Sequence, residues 1–176
     1  MSSTTTADFR AIWGSDNAHN VWAVGAGGTI YRLLDPMSTT WAPIVSPTTV
    51  NLFGIWGSAW DDIYVVGASG KIFHYNGSWS EMASPTTQTL YGVWGTGGTN
   101  WAGGDRVYAV GAAGTILQYN GVEWTPMTSN SERNLYSAWG SSATDVFVAG
   151  ESTGKASTIL RYDGVNWKSV TGGYEL

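Results

Sequence analysis

The side chains able to do chemistry in this chain are few, and their spacing points away from catalysis. Its 176 residues include two His, no Cys and 13 acidic side chains. Without Cys there is no disulfide, no thiolate nucleophile and no thiolate metal ligand. His19 falls in the loop Ser15 to Asn20, and His74 fills a repeat slot held elsewhere by Arg32, Gln118 and Arg161, so both are expected at the surface. Neither has a second His at a ligand spacing, and no G-x-S-x-G turn marks a serine nucleophile. Asp61 and Asp62 are neighbours, which on a strand sends them to opposite faces. No spacing marks the opposed carboxylate pair that glycoside hydrolysis needs. Asp62 and Asp145 recur at one repeat position just ahead of a strand, where an Asp is expected to cap a turn by accepting backbone N–H bonds. Loop Asp and Asn side chains could contact calcium, yet no EF-hand or glycine-rich nonapeptide spacing occurs. The expectation is no catalytic residue, no metal and no cofactor.

Tryptophan is the more informative residue, with 11 in the chain. Trp13, Trp56, Trp94 and Trp139 occupy one repeat position, and Trp41, Trp79, Trp124 and Trp167 a second. Trp22 fills a third, held elsewhere by Tyr64, Tyr108 and Phe147. Large aromatics at fixed repeat positions are packing residues, so these nine are assigned to the core and to contacts between repeats. Trp60 and Trp101 remain, both in loops. With Asp61 and Asn100 beside them they are the candidate ligand-binding residues, as flat platforms for a sugar ring. The competing reading folds both indoles back as plugs, since large exposed apolar surface is costly.

The elements that carry these residues come from one unit repeated four times. Trp-Gly occurs at Trp13-Gly14, Trp56-Gly57, Trp94-Gly95 and Trp139-Gly140, at intervals of 43, 38 and 45 residues. Each is followed by Val24-Gly25, Val66-Gly67, Val110-Gly111 or Ala149-Gly150, and then by the second Trp. Four strands per unit are predicted. The first has a small residue at its third position (Ala11, Gly54, Gly92, Ser137), as expected where backbones crowd near an axis. The second, such as Ile63 to Val66, is apolar without alternation, the mark of burial on both faces. A Gly-rich turn joins it to a third strand bearing one polar residue, expected to lie toward solvent. Asn76-Gly77, Asn120-Gly121 and Asp163-Gly164 are hairpin turns into the fourth. Copy one differs, with Leu34-Asp35-Pro36-Met37 in that place, and copy four enlarges its hairpin over 150–157.

Four-stranded units of about 40 to 45 residues have the period of propeller blades, each covering its neighbour's apolar faces. The fold class expected is therefore all-β: a β-propeller of four four-stranded antiparallel blades in one domain. The blades run approximately over 9–45, 52–83, 90–128 and 135–171, after an N-terminal tail of 1–8. Closure by packing blade four on blade one, as a monomer, is the favoured arrangement. The alternative is part of a larger ring, homo-oligomeric by self-association.

The blocks Ile55-Trp56-Gly57-Ser58, Val65-Val66-Gly67, Gly114-Thr115-Ile116 and Tyr162-Asp163-Gly164 resemble the Trp-Gly-Ser/Val-Gly repeats of bacterial secreted and surface β-propeller proteins. More distantly, they are similar to blades of Asp-box and photosystem-assembly-factor propellers. The resemblance spans Phe9 to Val170 and implies blade architecture and an extracellular or cell-surface setting. It does not carry sialidase-type activity, because Asp163 directly precedes Gly164 and copies two and three have Asn there.

Charge and composition narrow the partners. The net charge of −5, with eight Lys plus Arg, excludes a basic nucleic-acid footprint and attraction to an anionic membrane. No apolar run approaches the roughly 20 residues that span a bilayer as a helix. The first residues, Met1-Ser2-Ser3-Thr4-Thr5-Thr6, lack the basic and apolar segments of a signal peptide. The resulting expectation is a noncatalytic binding module, carbohydrate-binding in lectin fashion. The alternatives are a scaffold for protein partners and, by analogy of fold, a glycosidase-type enzyme.

Overall fold

The structure is a computed structural model that describes residues 6, 8–15, 20–33, 40–97, 106–152 and 158–170. His19, Pro36, Asn100, Trp101 and most of the copy-four hairpin, for which the sequence sets expectations, lie outside those residues. Each repeat forms its own antiparallel sheet of four strands in simple meander order. Blade one holds β1 (Phe9–Gly14), β2 (Val21–Gly25), β3 (Ile30–Leu33) and the two-residue β4 (Ala42–Pro43). Blade two holds β5 (Leu52–Ala59), β6 (Asp62–Gly67), β7 (Ile72–Tyr75) and β8 (Trp79–Met82). Blade three holds β9 (Leu90–Gly95), β10 (Val107–Gly111), β11 (Ile116–Tyr119) and β12 (Trp124–Met127). Blade four holds β13 (Leu135–Ser142), β14 (Asp145–Gly150), β15 (Thr158–Tyr162) and β16 (Trp167–Ser169). The protein is thus an all-β propeller of four blades. Pro43 and Pro126 sit on outermost strands, where a missing N–H costs no ladder bond.

The second strands behave as their composition requires: β10 is buried along its whole length and β6 in all but its first residue. In blades one to three the turn that follows is a three-residue 3-10 segment with two positive-φ positions. The first is Gly27 in blade one but Ser69 and Ala113 in blades two and three, at φ of 58° and 51°. The second is glycine each time (Gly28, Gly70, Gly114), and for a steric reason. A Cβ there would fall on the carbonyl oxygen of Thr48, Thr86 or Ser131 in the connector to the next blade.

Three apolar cores join the blades in series. Between blades one and two lie Trp22, Val24 and Ile30 against Leu52, Ile63, Val65 and Phe73. Between two and three, Tyr64, Val66 and Ile72 meet Leu90, Val107, Leu117 and Trp124. Between three and four, Tyr108, Val110 and Ile116 meet Leu135, Val146, Leu160 and Trp167. Each core is capped near the axis by one indole laid over the glycine of the following blade. A Cβ on Gly57 would stand 3.1 Å from the Trp13 ring, and one on Gly95 or Gly140 only 2.6 Å from Trp56 or Trp94. That contact is why the landmark is Trp-Gly: the Trp packs forward and the Gly receives the indole from behind. Side chains add stitches, since Asn51 and Asn134 accept the backbone N–H of Gly27 and Ala113 in the preceding blade.

Among the described residues the series does not close on itself. Ile12 is 65% exposed, whereas its counterparts Ile55 and Val93 are 8% and 9% exposed. Trp139 is 62% exposed, and a Cβ on Gly14 would meet only Val21 and the Asn20 carbonyl rather than an indole. Packing of blade four on blade one, favoured from the repeat count, is therefore absent from the three cores. Repeat counting fixes the number of blades, but the rotation between sheets decides where the ring meets.

Candidate functional site

The polar positions of the third strands bond along the sheet to side chains of neighbouring strands; Arg32, His74 and Gln118 are half-buried there, while Arg161 stays exposed as expected. In blade two, His74 Nε2 lies 2.6 Å from Asp62 Oδ1, and Ser58 Oγ donates to the other carboxylate oxygen. The His74 ring also stacks on Tyr64 at 4.4 Å. Blade four repeats the array with Ser141 Oγ donating to Asp145 at 2.6 Å and Arg161 Nε at 2.8 Å. In blade one Arg32 donates to Asn20. Blade three uses Gln118, which donates to the Tyr108 hydroxyl at 2.7 Å, while that hydroxyl donates to the Ala143 carbonyl of blade four.

These arrays correct two expectations. His74 is not a free surface residue, for its side chain is 20% exposed and bonded to Asp62. Asp62 and Asp145 accept from side chains of the first and third strands; backbone turn-capping is not their role. The meander puts the start of the second strand between those neighbours, so one carboxylate can tie three strands. Ser58, Asp62 and His74 have the residue types of a hydrolase triad, but the order is wrong. The carboxylate separates Ser from His, which leaves the hydroxyl facing an acceptor and no base. In blade four the His position is Arg161, which accepts no proton. The arrays act as pins.

Electrostatics agree with pinning. Burial pushes the Asp62 carboxyl up, but the hydrogen bonds from His74 and Ser58 outweigh it and hold the group below the ordinary 3.8. Ser141 and then Arg161 lower Asp145. Lys168, followed by the backbone N–H groups of Asn166 and Val165, holds Asp163 well below the carboxylate range. Asp163 does cap a hairpin, receiving both N–H groups at 2.8 and 3.1 Å, as Asn120 does in blade three. Among the described residues no group of three His, Cys, Asp or Glu is placed to hold a metal ion.

Of the candidate ligand residues, Trp60 and Asp61 form the turn between β5 and β6. Trp60 is 50% exposed, and the Arg32 guanidinium of blade one lies 5.7 Å from its ring and 4.6 Å from Trp22. Asp61 is half-buried beside it. Trp101 and Asn100, their proposed companions, lie outside the described residues. The assigned packing residues divide by blade: Trp124 and Trp167 are 5% and 4% exposed, Trp13, Trp56, Trp79 and Trp94 are half-buried, and Trp139 is exposed.

Sequence reasoning missed a cleft of about 420 Å³ at the outer rim between blades two and three. Met82 and Pro85 form one side, and Tyr119, Val122, Glu123 and Trp124 the other. Its floor is fixed by the Trp124 indole N–H, which points to Met82 Sδ at 3.4 Å. Val122 stands 85% exposed at the tip of the β11–β12 hairpin. Beside the cleft runs β8, outermost in its sheet with no strand on its far edge. The volume is that of a small-ligand or side-chain pocket. The sequence offers only the Val after Asn120-Gly121, where a polar residue is the usual choice, and Val165 after Asp163-Gly164 repeats it in blade four.

No family model matches the chain, and no curated protein matches it. Solved structures do. YCF48 from Cyanidioschyzon merolae superposes with a TM-score of 0.64 at 12% identity, over 97% of this chain and 58% of that one. YCF48 bound to D1 peptide superposes with a TM-score of 0.62 at 15% identity, over 94% and 67%. The chain thus spans about three-fifths to two-thirds of the length of these structures. At such identities the likeness is one of fold. Of the resemblances drawn from the sequence, the one to photosystem-assembly-factor blades is the one these structures support.

Proposed function

We propose that this chain is a noncatalytic interaction module that holds a protein partner through an extended peptide segment. The observation that carries the reading is the rim cleft, mostly apolar on both walls and open beside β8, the outermost strand of its sheet. An extended segment hydrogen-bonds to such an edge and drops alternate side chains into the adjoining pocket. Glu123 at the rim favours a segment with a basic residue near its apolar anchor. The propeller fold supports the same class of function, since one of the similar structures was determined with a peptide bound.

The test is selection of random peptides displayed against the chain, with affinities then measured for Val122→Asp. Enrichment of apolar-basic peptides whose affinity falls at least tenfold in Val122→Asp is expected; that is about 1.4 kcal/mol. Failure to enrich any sequence, or affinity indifferent to Val122→Asp, contradicts the reading. A carbohydrate role is the second reading, favoured by the half-exposed Trp60 indole with Asp61 beside it. A glycan-array signal that disappears in Trp60→Ala while peptides show none would replace the first reading by the second. The extracellular or cell-surface setting is kept as part of the proposal on the resemblance of the repeats, and fractionation of the native source tests it.

A further inference from the structure

The two ends of the blade series are unlike, and each lacks what the other has. At every internal junction three contacts recur. The first is the indole of one blade over the Trp-Gly glycine of the next: Trp13 on Gly57, Trp56 on Gly95, Trp94 on Gly140. The second is a side chain at the second position of each first strand laid against its successor: Arg10 over Phe53 at 4.9 Å, Phe53 on Tyr91 at 5.5 Å, Tyr91 on Tyr136 at 5.4 Å. The third joins a second-strand aromatic to the fourth-strand Trp of the next blade: Trp22 to Trp79 at 5.8 Å, Tyr64 to Trp124 and Tyr108 to Trp167 at 6.4 Å.

Among the described residues, blade four presents the leading half of all three contacts without an acceptor, in Trp139, Tyr136 and Phe147. Trp139 is 62% and Tyr136 49% exposed, and Ile159 is 39% exposed where its counterparts Ile30, Ile72 and Ile116 are at most 2%. Blade one presents the receiving half, in Gly14, Arg10 and Trp41, with Ile12 and Phe9 65% and 43% exposed on the same side. The pairings that result are Trp139 on Gly14, Tyr136 under the Arg10 guanidinium, and Phe147 against Trp41. All three repeat chemistry already present inside the molecule, and Arg10 over an aromatic ring is the contact it makes with Phe53.

We propose that the exposed faces of blades four and one are the two halves of one interface, occupied by a second copy of this chain set head to tail. Such an interface is heterologous, so a ring forms if the rotation closes and a chain of copies if it does not. A pair saturating both ends would make an eight-bladed ring.

Solution mass by light scattering at about 50 µM is the first readout, within the range where interfaces of standard size are saturated. A mass at least twice the 18.8 kDa of the chain is expected. A single-copy mass at that concentration overturns the proposal and leaves both faces to other occupants. Two variants then test the pairing. Trp139→Glu and Gly14→Glu are each expected to be single copies, while their equimolar mixture forms a one-to-one pair through the remaining intact junction. Assembly that survives Gly14→Glu, or a mixture that stays dissociated, contradicts head-to-tail pairing. Circular dichroism confirms that each variant is folded, and Ile12→Asp replaces Gly14→Glu if the latter is not.

Discussion

At the residue scale, glycine and aspartate do different physical work at positions that look alike in sequence. Gly114 and Gly121 both have positive φ, at 70° and 93°, but only Gly114 faces a backbone carbonyl where its Cβ would be. Gly121→Ala is expected to cost about 1 kcal/mol for its φ alone. Gly114→Ala is expected to cost more than about 3 kcal/mol, because connector and turn must also separate. Urea midpoints of the two variants check this, and equal losses would show the connector is not seated on the turn. Asp62 carries a pH signature. Its folded pKa lies below the unfolded 3.8, so its contribution is complete above that value and is lost as pH falls through the folded pKa. Asp62→Asn is therefore expected to cost about 1–2 kcal/mol near pH 6. The gap from the parent should shrink as pH drops below about 3.8. A constant gap down to pH 2.5 would mean that the carboxylate's charge plays no part in the pin. The repeat revealed that Asp62 and Asp145 share a role but misassigned it. Their partners Ser58, His74, Ser141 and Arg161 are joined to them by strand register, which local spacing does not encode.

At the element scale, the blade is legible in sequence because its packing is written as residue types. Trp-Gly encodes a forward indole and a receiving glycine, and the apolar run Ile63 to Val66 encodes a strand covered on both sides. The Asn-Gly turns encode the outer hairpin. Ser69 and Ala113 left no such mark, since residues other than glycine at positive φ are not announced by type. The indole over the next glycine should be the chief wedge between sheets. Trp56→Ala is expected to cost about 3 kcal/mol, near the lower end of large-to-small losses because Trp56 is only half-buried. Trp139→Ala, measured in the Gly14→Glu background, should change stability by less than about 0.5 kcal/mol, as for an exposed side chain. Chemical denaturation of the two variants compares them directly, and a Trp139 loss matching that of Trp56 would require a covered face four.

At the scale of the whole molecule, stability is a chain of neighbour terms, as in other repeat architectures. The central blades are covered on both sides and the end blades on one. That asymmetry was illegible because four equal repeats suggest a closed ring, and closure is set by rotation between sheets that no residue pattern states. The rim cleft was equally hidden, since it joins the end of β8 to a hairpin of the next blade. The proposed function places the partner at this rim rather than at the Trp60 turn. Backbone amide shifts of the folded chain, recorded as a display-selected peptide is added, test that most directly. Perturbations are expected to concentrate on Met82 to Ser84 and on Tyr119 to Trp124. Perturbations centred on Trp60 and Asp61, with the rim silent, would contradict it.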